Sequence, residues 1–226
     1  MSLNRRQFNR AFLAALTAGA LPGLLAAGSA SAQAIELVEG RDWAAIVPPQ
    51  KGSSPGKIEV LEFFSYGCSH CSDLNPYVHR WEKSLAKDVE FRRVPVTFGR
   101  AAWSNLARIF YALETSKQLD KLDQAVFDAI HLRKTSLFTE QAALDWVASQ
   151  GVDAKAFRDA MRSFAVETRL ARADTLARAY KVASVPNLVV DGRYAVLGNG
   201  VKSISGLLDI TDALIARVRQ EKRGKR

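Results

Sequence analysis

The stretch "LEFFSYGCSHCSDLNP", residues 61–76, holds both cysteines of a 226-residue chain, two residues apart. Ile58 to Phe64 is an apolar run of strand length, rich in β-branched and aromatic residues. A helix is expected to begin near Cys68 and to run to about Ala86. The pair Cys68-Ser69-His70-Cys71 therefore sits where a strand hands over to a helix, and it can be a metal site, a covalent staple or an electron shuttle.

A structural zinc takes four ligands, usually Cys and His at characteristic spacings. Besides the two cysteines this chain offers only three histidines, His70, His79 and His131, and His70 lies inside the pair. No metal is expected. A disulfide across two residues closes too small a loop to remove much unfolded-state entropy, so a staple is a weak purpose. The redox reading has positive support. A cysteine that opens a helix faces unpaired N–H groups and the positive end of the helix dipole. An ordinary thiol has a pKa of about 8.5. A helix terminus supplies about 0.3–2 kcal/mol toward the thiolate. His70, when protonated or donating to the sulfur, adds to this. Cys68 is the expected attacking and leaving group, with Cys71 one turn further in and shielded.

Outward from the pair, residues 35–38 (Ile-Glu-Leu-Val) read as a short strand and residues 48–57 as an exposed loop. Val89 to Val96 reads as a second core strand. From Ala101 to about Val182 the pattern is helical. Trp103, Leu106, Ala107, Phe110 and Leu113 share one face, as do Leu122, Val126, Phe127 and Ile130. Thr139 and Asp153 are expected N-caps, with Gly151 between their helices. Strand signals return at Leu188–Val190 and Tyr194–Leu197, joined by the hairpin pair Asp191-Gly192. A last helix covers about Ile204 to Val218. The order is β-α-β, a helical block of about 80 residues, then β-β-α. This is an α/β chain in which the helical block is an insertion.

The first 32 residues carry Arg5, Arg6 and Arg10 ahead of an Ala/Leu-rich run that ends in small residues. They read as a cleaved export signal, cut after Ala32 before Gln33 or after Ala34 before Ile35. "NRRQFNR" (4–10) also resembles a twin-arginine signal, so the export route stays open. The formal charge of +9 falls to +6 once the three signal arginines leave, and the last ten residues hold six bases and one acid. The remainder is nearly neutral, with no basic patch interleaved with aromatics. Nucleic acid is not an expected partner, and residues 219–226 read as a solvated basic tail.

"FFSYGCSHC" resembles the active-site stretch of the thioredoxin superfamily and, more closely, of the DsbA family of periplasmic thiol:disulfide oxidoreductases. "VLEFFS", the helical insertion and "ASVPNLVVDGRYAV" extend the resemblance over nearly all of the chain after the signal. It implies a thioredoxin fold (β-α-β…β-β-α) with an inserted all-helical lobe. Residues 33–100 and 183–218 then form the thioredoxin-like part, and 101–182 form the lobe and its connecting helix. Pro76 matches the helix-kinking proline. Val185-Pro186 matches the loop whose proline is cis, and the backbone of Val185 is implied to pair with extended substrate. Glu62, six residues before Cys68, matches a buried acid that exchanges protons with Cys71. Ser69 departs from the proline of the best-known relatives and bears on redox tuning, with an effect of either sign.

The resemblance further implies a monomer in the bacterial periplasm with no cofactor beyond the Cys68–Cys71 disulfide. That disulfide is donated to unfolded exported proteins, and a DsbB-type, quinone-coupled membrane oxidase restores it. An isomerase or reductant is the nearest rival, although only about 25 residues precede the core strand where isomerases carry a dimerisation domain. A peptide-binding chaperone with an incidental cysteine pair is the rival from another class.

Overall fold

A computed structural model describes residues 36–224. The expected signal segment, with its cleavage positions, lies outside the described residues, as do residues 225 and 226. The elements are β1 (Trp43–Ala45), β2 (Ile58–Phe64), α1 (Ser69–Glu82), β3 (Val89–Pro95), α2 (Ala101–Thr115), α3 (Leu119–His131), α4 (Glu140–Ser149), α5 (Ala154–Met161), α6 (Phe164–Ala179), β4 (Asn187–Val190), β5 (Tyr194–Val196) and α7 (Gly206–Gly224). The strands form one sheet in the order β1-β5-β4-β2-β3. Only β2 and β3 run parallel; the other neighbours are antiparallel. This is the thioredoxin frame, with α2–α6 inserted between β3 and β4.

All seven residues of β2 are buried, which is why its sequence runs nearly continuously apolar instead of alternating. On one sheet face Ile58 and Val60 pack with Leu74 and Val78 of α1 and with Leu214 and Ile215 of α7. Leu61, Phe63 and Phe64 instead join Leu106, Phe110 and Phe127 of the lobe in a second cluster. The strand that leads into the cysteines is thus clamped from both sides, and its end is a fixed platform.

Local chemistry explains the element boundaries. Thr139 Oγ1 accepts from the Ala142 N–H at 3.3 Å, and Asp153 Oδ1 accepts from Lys155 and Ala156 at 2.8 and 3.1 Å. Both residues are the N-caps expected of them. Asp191 and Gly192 take φ of +54° and +66°, the left-handed pair of a two-residue hairpin turn. A Cβ at Gly192 would collide with the Gln50 carbonyl oxygen.

Three expectations are corrected. The first strand is not at 35–38: residues 36–38 are irregular, and Trp43–Ala45 pair with β5 instead. The Val38 N–H goes to the Asp42 carboxylate at 2.9 Å, and Gly40, at φ +82°, reverses the chain. A segment whose donor is taken by a turn side chain cannot extend a ladder. Helix α1 stops at Glu82 rather than near Ala86, because Ser84 and Leu85 fold back in three-residue turns onto Trp81 and Glu82. The basic end is not a free tail: α7 runs to Gly224, Arg219 forks onto Asp88 at 2.6 and 2.9 Å, and Lys222 reaches Asp191 at 2.8 Å.

Candidate active site

Cys68 is the N-cap of α1, with extended backbone (φ −102°, ψ 119°), and its sulfur accepts from the Cys71 N–H at 3.4 Å. No acidic residue occupies the first turn, so nothing there opposes a negative sulfur. Cys68 is partly exposed, Cys71 is fully buried, and both are free thiols. The glycine before the pair leaves little room for a side chain. A Cβ on Gly67 would lie 3.0 Å from Trp103 Nε1 and 3.2 Å from Leu106 Cδ1, so α2 of the lobe presses directly on the redox loop.

The hydrogen bond from the Cys71 thiol pulls the Cys68 pKa down from its ordinary value to about 6. Partial burial opposes this, while the N–H groups of Cys71 and His70 and the His70 charge assist. Burial drives the Cys71 thiol far upward, reinforced by Cys68 and by the charge of Glu62. One cysteine is prepared to attack and leave; the other is a thiol that needs a proton acceptor before it can react. Alkylation of the dithiol form is expected to modify Cys68 alone, with a midpoint near pH 6 and a plateau above about pH 7. A midpoint above pH 8 would contradict the assigned asymmetry. The depressed value also stabilises the folded dithiol form, fully above the ordinary thiol pKa and not at all once the pH falls below about 6.

The remaining expected site residues divide into two groups. Val185-Pro186 is cis, and the Val185 carbonyl lies 3.3 Å from the Cys68 sulfur, where it accepts from the S–H form. Pro76 lies inside α1. Ser69 and His70 are exposed, and neither the Ser69 hydroxyl nor the His70 ring bonds to the Cys68 sulfur. The His70 ring faces Asp73 instead, 4.0 Å away across an exposed pair. The geometry leaves His70 its backbone N–H and its charge, and no ring hydrogen bond, with which to favour the Cys68 thiolate.

Glu62 is fully buried in β2, and it is not alone. Its register partner on β3 is Arg93, whose Nε donates to Glu62 Oε2 at 2.7 Å. Arg93 Nη1 donates to Asp123 Oδ2 at 2.8 Å, and Asp123 comes from α3 of the lobe. Tyr66, two residues before Cys68, donates its hydroxyl to Asp123 Oδ1 at 2.5 Å, and His79 Nε2 lies 2.9 Å from Oδ2. The Arg93 guanidinium rests 4.0 Å from the Phe64 ring centroid and 5.7 Å from that of Phe110. Burial raises the Glu62 pKa despite the opposing charge of Arg93. Burial would raise Asp123 too, but Arg93, His79 and Tyr66 outweigh it and hold that carboxyl well below the usual range.

Arg93, Asp123, His79 and Tyr66 escaped the sequence reading. A signal for Asp123 existed: it stands three and four residues before Val126 and Phe127, on the apolar stripe of α3. Among the described residues no group of three or more His, Cys, Asp or Glu side chains is placed to hold a metal ion.

A thioredoxin frame with a Cys-x-x-Cys pair at the start of its first helix and a cis-proline loop against the outer sulfur defines a thiol:disulfide oxidoreductase. The comparisons narrow this. Residues 59–209 match the profile of the DSBA-like thioredoxin domain. The thiol:disulfide interchange protein DsbA of Burkholderia cepacia is 38% identical over 199 residues, covering 88% of this chain and 93% of that protein. The Pseudomonas aeruginosa DsbA crystal structure gives a TM-score of 0.78 at 34% identity, covering 83% of this chain and 97% of that one. An oxidoreductase of Neisseria meningitidis gives 0.74 at 27% identity, covering 83% and 96%. The chain belongs to the DsbA family.

Proposed function

We propose that this chain is a periplasmic dithiol oxidase that donates the Cys68–Cys71 disulfide to newly exported, unfolded proteins. The observation that carries the direction of transfer is the split between the two sulfurs: a thiolate held near pKa 6 at the helix cap above a thiol driven far upward. Whatever stabilises the Cys68 thiolate relative to the disulfide makes the pair more oxidising, by about 30 mV for each pKa unit.

A substrate thiolate attacks Cys68 of the oxidised pair. The substrate–Cys68 bond forms, the Cys68–Cys71 bond breaks, and the electron pair leaves on Cys71. The buried Cys71 sulfur takes a proton from the Glu62 carboxyl, directly or through water. A second substrate thiolate then attacks the substrate sulfur of the mixed disulfide, and the product disulfide departs as Cys68 leaves as thiolate. Substrate lies extended along Val185-Pro186, whose backbone pairs with it as an added strand. His70 assists the Cys68 thiolate, and Ser69 tunes the pair. No cofactor is required beyond the disulfide. The protein works as a monomer, and a DsbB-type, quinone-coupled membrane oxidase restores the disulfide.

The test is the equilibrium of the Cys68–Cys71 pair against a graded glutathione buffer. A potential well above that of thioredoxin, which is about −270 mV, is the expected result. A value at or below that figure would make the chain a reductant.

A further inference from the structure

We propose that Asp123, supplied by the inserted lobe, is a positioning residue that draws Arg93 away from Glu62 and thereby keeps the Glu62 carboxyl able to hold a proton. This rests on the reading of Glu62 as the proton donor to Cys71.

Two buried carboxylates share one guanidinium. Arg93 gives Nε to Glu62 and Nη1 to Asp123, so neither acid receives the two-pronged fork that makes arginine pairing strongest. Among the described residues the third nitrogen, Nη2, has no partner. The remaining donors are divided unequally. Asp123 also receives the Tyr66 hydroxyl and sits against His79, whereas among the described residues Glu62 receives nothing more and its Oε1 is unpartnered. Of the two carboxyls, Glu62 is therefore the one that takes up a proton. The titratable and charged groups around Glu62 are Arg93 from β3, Cys71 and His79 from α1 and Asp123 from α3; Tyr66 of the redox loop reaches the cluster through Asp123, and the β4 neighbour Leu188 is apolar. The two carboxyls shift in opposite directions, as unequal division requires.

The chemistry follows. Glu62 protonates the departing Cys71 thiolate and becomes a carboxylate, which Arg93 stabilises. On reoxidation the same carboxylate removes the proton. Were Arg93 wholly committed to Glu62, the carboxyl would be ionised at neutral pH and have no proton to give. Asp123 prevents that from a distance: its hydrogen-bond partners are Arg93, Tyr66 and His79, and neither sulfur is among them.

The experiment is Asp123→Asn in the mature chain. The Glu62 carboxyl is titrated by carbon-13 NMR and assigned by its loss in Glu62→Gln. In parallel, the pH profile of mixed-disulfide resolution is recorded. The Glu62 midpoint is expected to fall by about one pH unit or more, and the resolution profile to move with it. A folded Asp123→Asn chain with the midpoint unmoved or raised overturns the proposal. Tyr66→Phe is a second probe that keeps the ring: Asp123 loses a donor and leans harder on Arg93, so the Glu62 midpoint rises, and an unmoved or lowered midpoint counts equally against it. A residue that merely ties α3 to the sheet would leave both midpoints in place. A shifted midpoint with an unchanged resolution profile would uphold Asp123 and refute the proton-donor role of Glu62.

Discussion

In a chain carrying Cys68→Ala, oxidation of dithiol substrates falls to the uncatalysed rate, a loss of at least about a thousandfold, because the remaining thiol, Cys71, is fully buried and has no partner sulfur with which to hold a transferable disulfide. The fold survives, since Cys68 is partly exposed and the helix start retains the rest of its first turn. Cys71→Ala behaves differently. Its Cys68 still attacks, with no resolving thiol beneath it, so reaction with an activated substrate disulfide halts at a covalent adduct. The measurements are substrate oxidation followed by thiol titration, and mass spectrometry of the trapped adduct. A Cys68→Ala chain that still oxidised dithiols would refute the mechanism. One that kept only the capacity to hold unfolded chains would show binding separable from chemistry.

The second large effect is on stability. Replacing Arg93 by Met removes the one guanidinium between two acids that are both fully buried. Breaking a buried pair on one side costs about 3–5 kcal/mol. For a domain of this size that corresponds to a fall in Tm of about 6–20 °C. The pH dependence inverts. In the natural chain Asp123 is held below its unfolded value, so its contribution is present above that value and lost as the pH falls through the folded one. With the guanidinium gone, burial raises Glu62 further, and it raises Asp123 against only the remaining Tyr66 and His79 contacts. Arg93→Met should therefore be most stable below the unfolded carboxyl pKa and lose stability as the pH rises through the raised values. Urea unfolding at pH 5 and pH 7.5 tests this. A loss under about 1 kcal/mol, equal at both pH values, would show that the guanidinium is not the charge holding these acids in place.

The elements that were legible in the sequence are those fixed by short-range chemistry. β2 announced itself by a run of apolar and β-branched residues, the lobe helices by their period, α4 and α5 by Thr139 and Asp153, and the hairpin by Asp191-Gly192. The cysteine pair at the helix start was legible for the same reason: a cap residue and its N–H donors lie within three positions of each other. β1 was misplaced because Ile-Glu-Leu-Val and Trp43–Ala45 are equally strand-like, and only the ladder partner β5 chooses between them. The anomaly of Glu62 was visible, but its partners were not. Arg93, Asp123 and Tyr66 lie 31, 30 and 57 positions from the groups they bond, and no local pattern reports such distances. The docking of the basic end was hidden likewise, since Asp88 and Asp191 are brought to α7 only by the sheet.

The contact of the lobe with Gly67 and the reach of Asp123 into the sheet bear on how such a protein can be taken apart. Thioredoxin frames suggest modularity, as though residues 101–182 were a cassette that could be excised or exchanged. Here excision would strip the cover from Phe63, Phe64 and Tyr66, remove the indole that confines the redox loop, and hand Arg93 to Glu62 alone. What remained would have the frame's topology and both cysteines, yet a different proton inventory beneath them. Lobe and frame share one buried charge cluster, and a chimaera that swaps the lobe is expected to need its own acid at the position of Asp123.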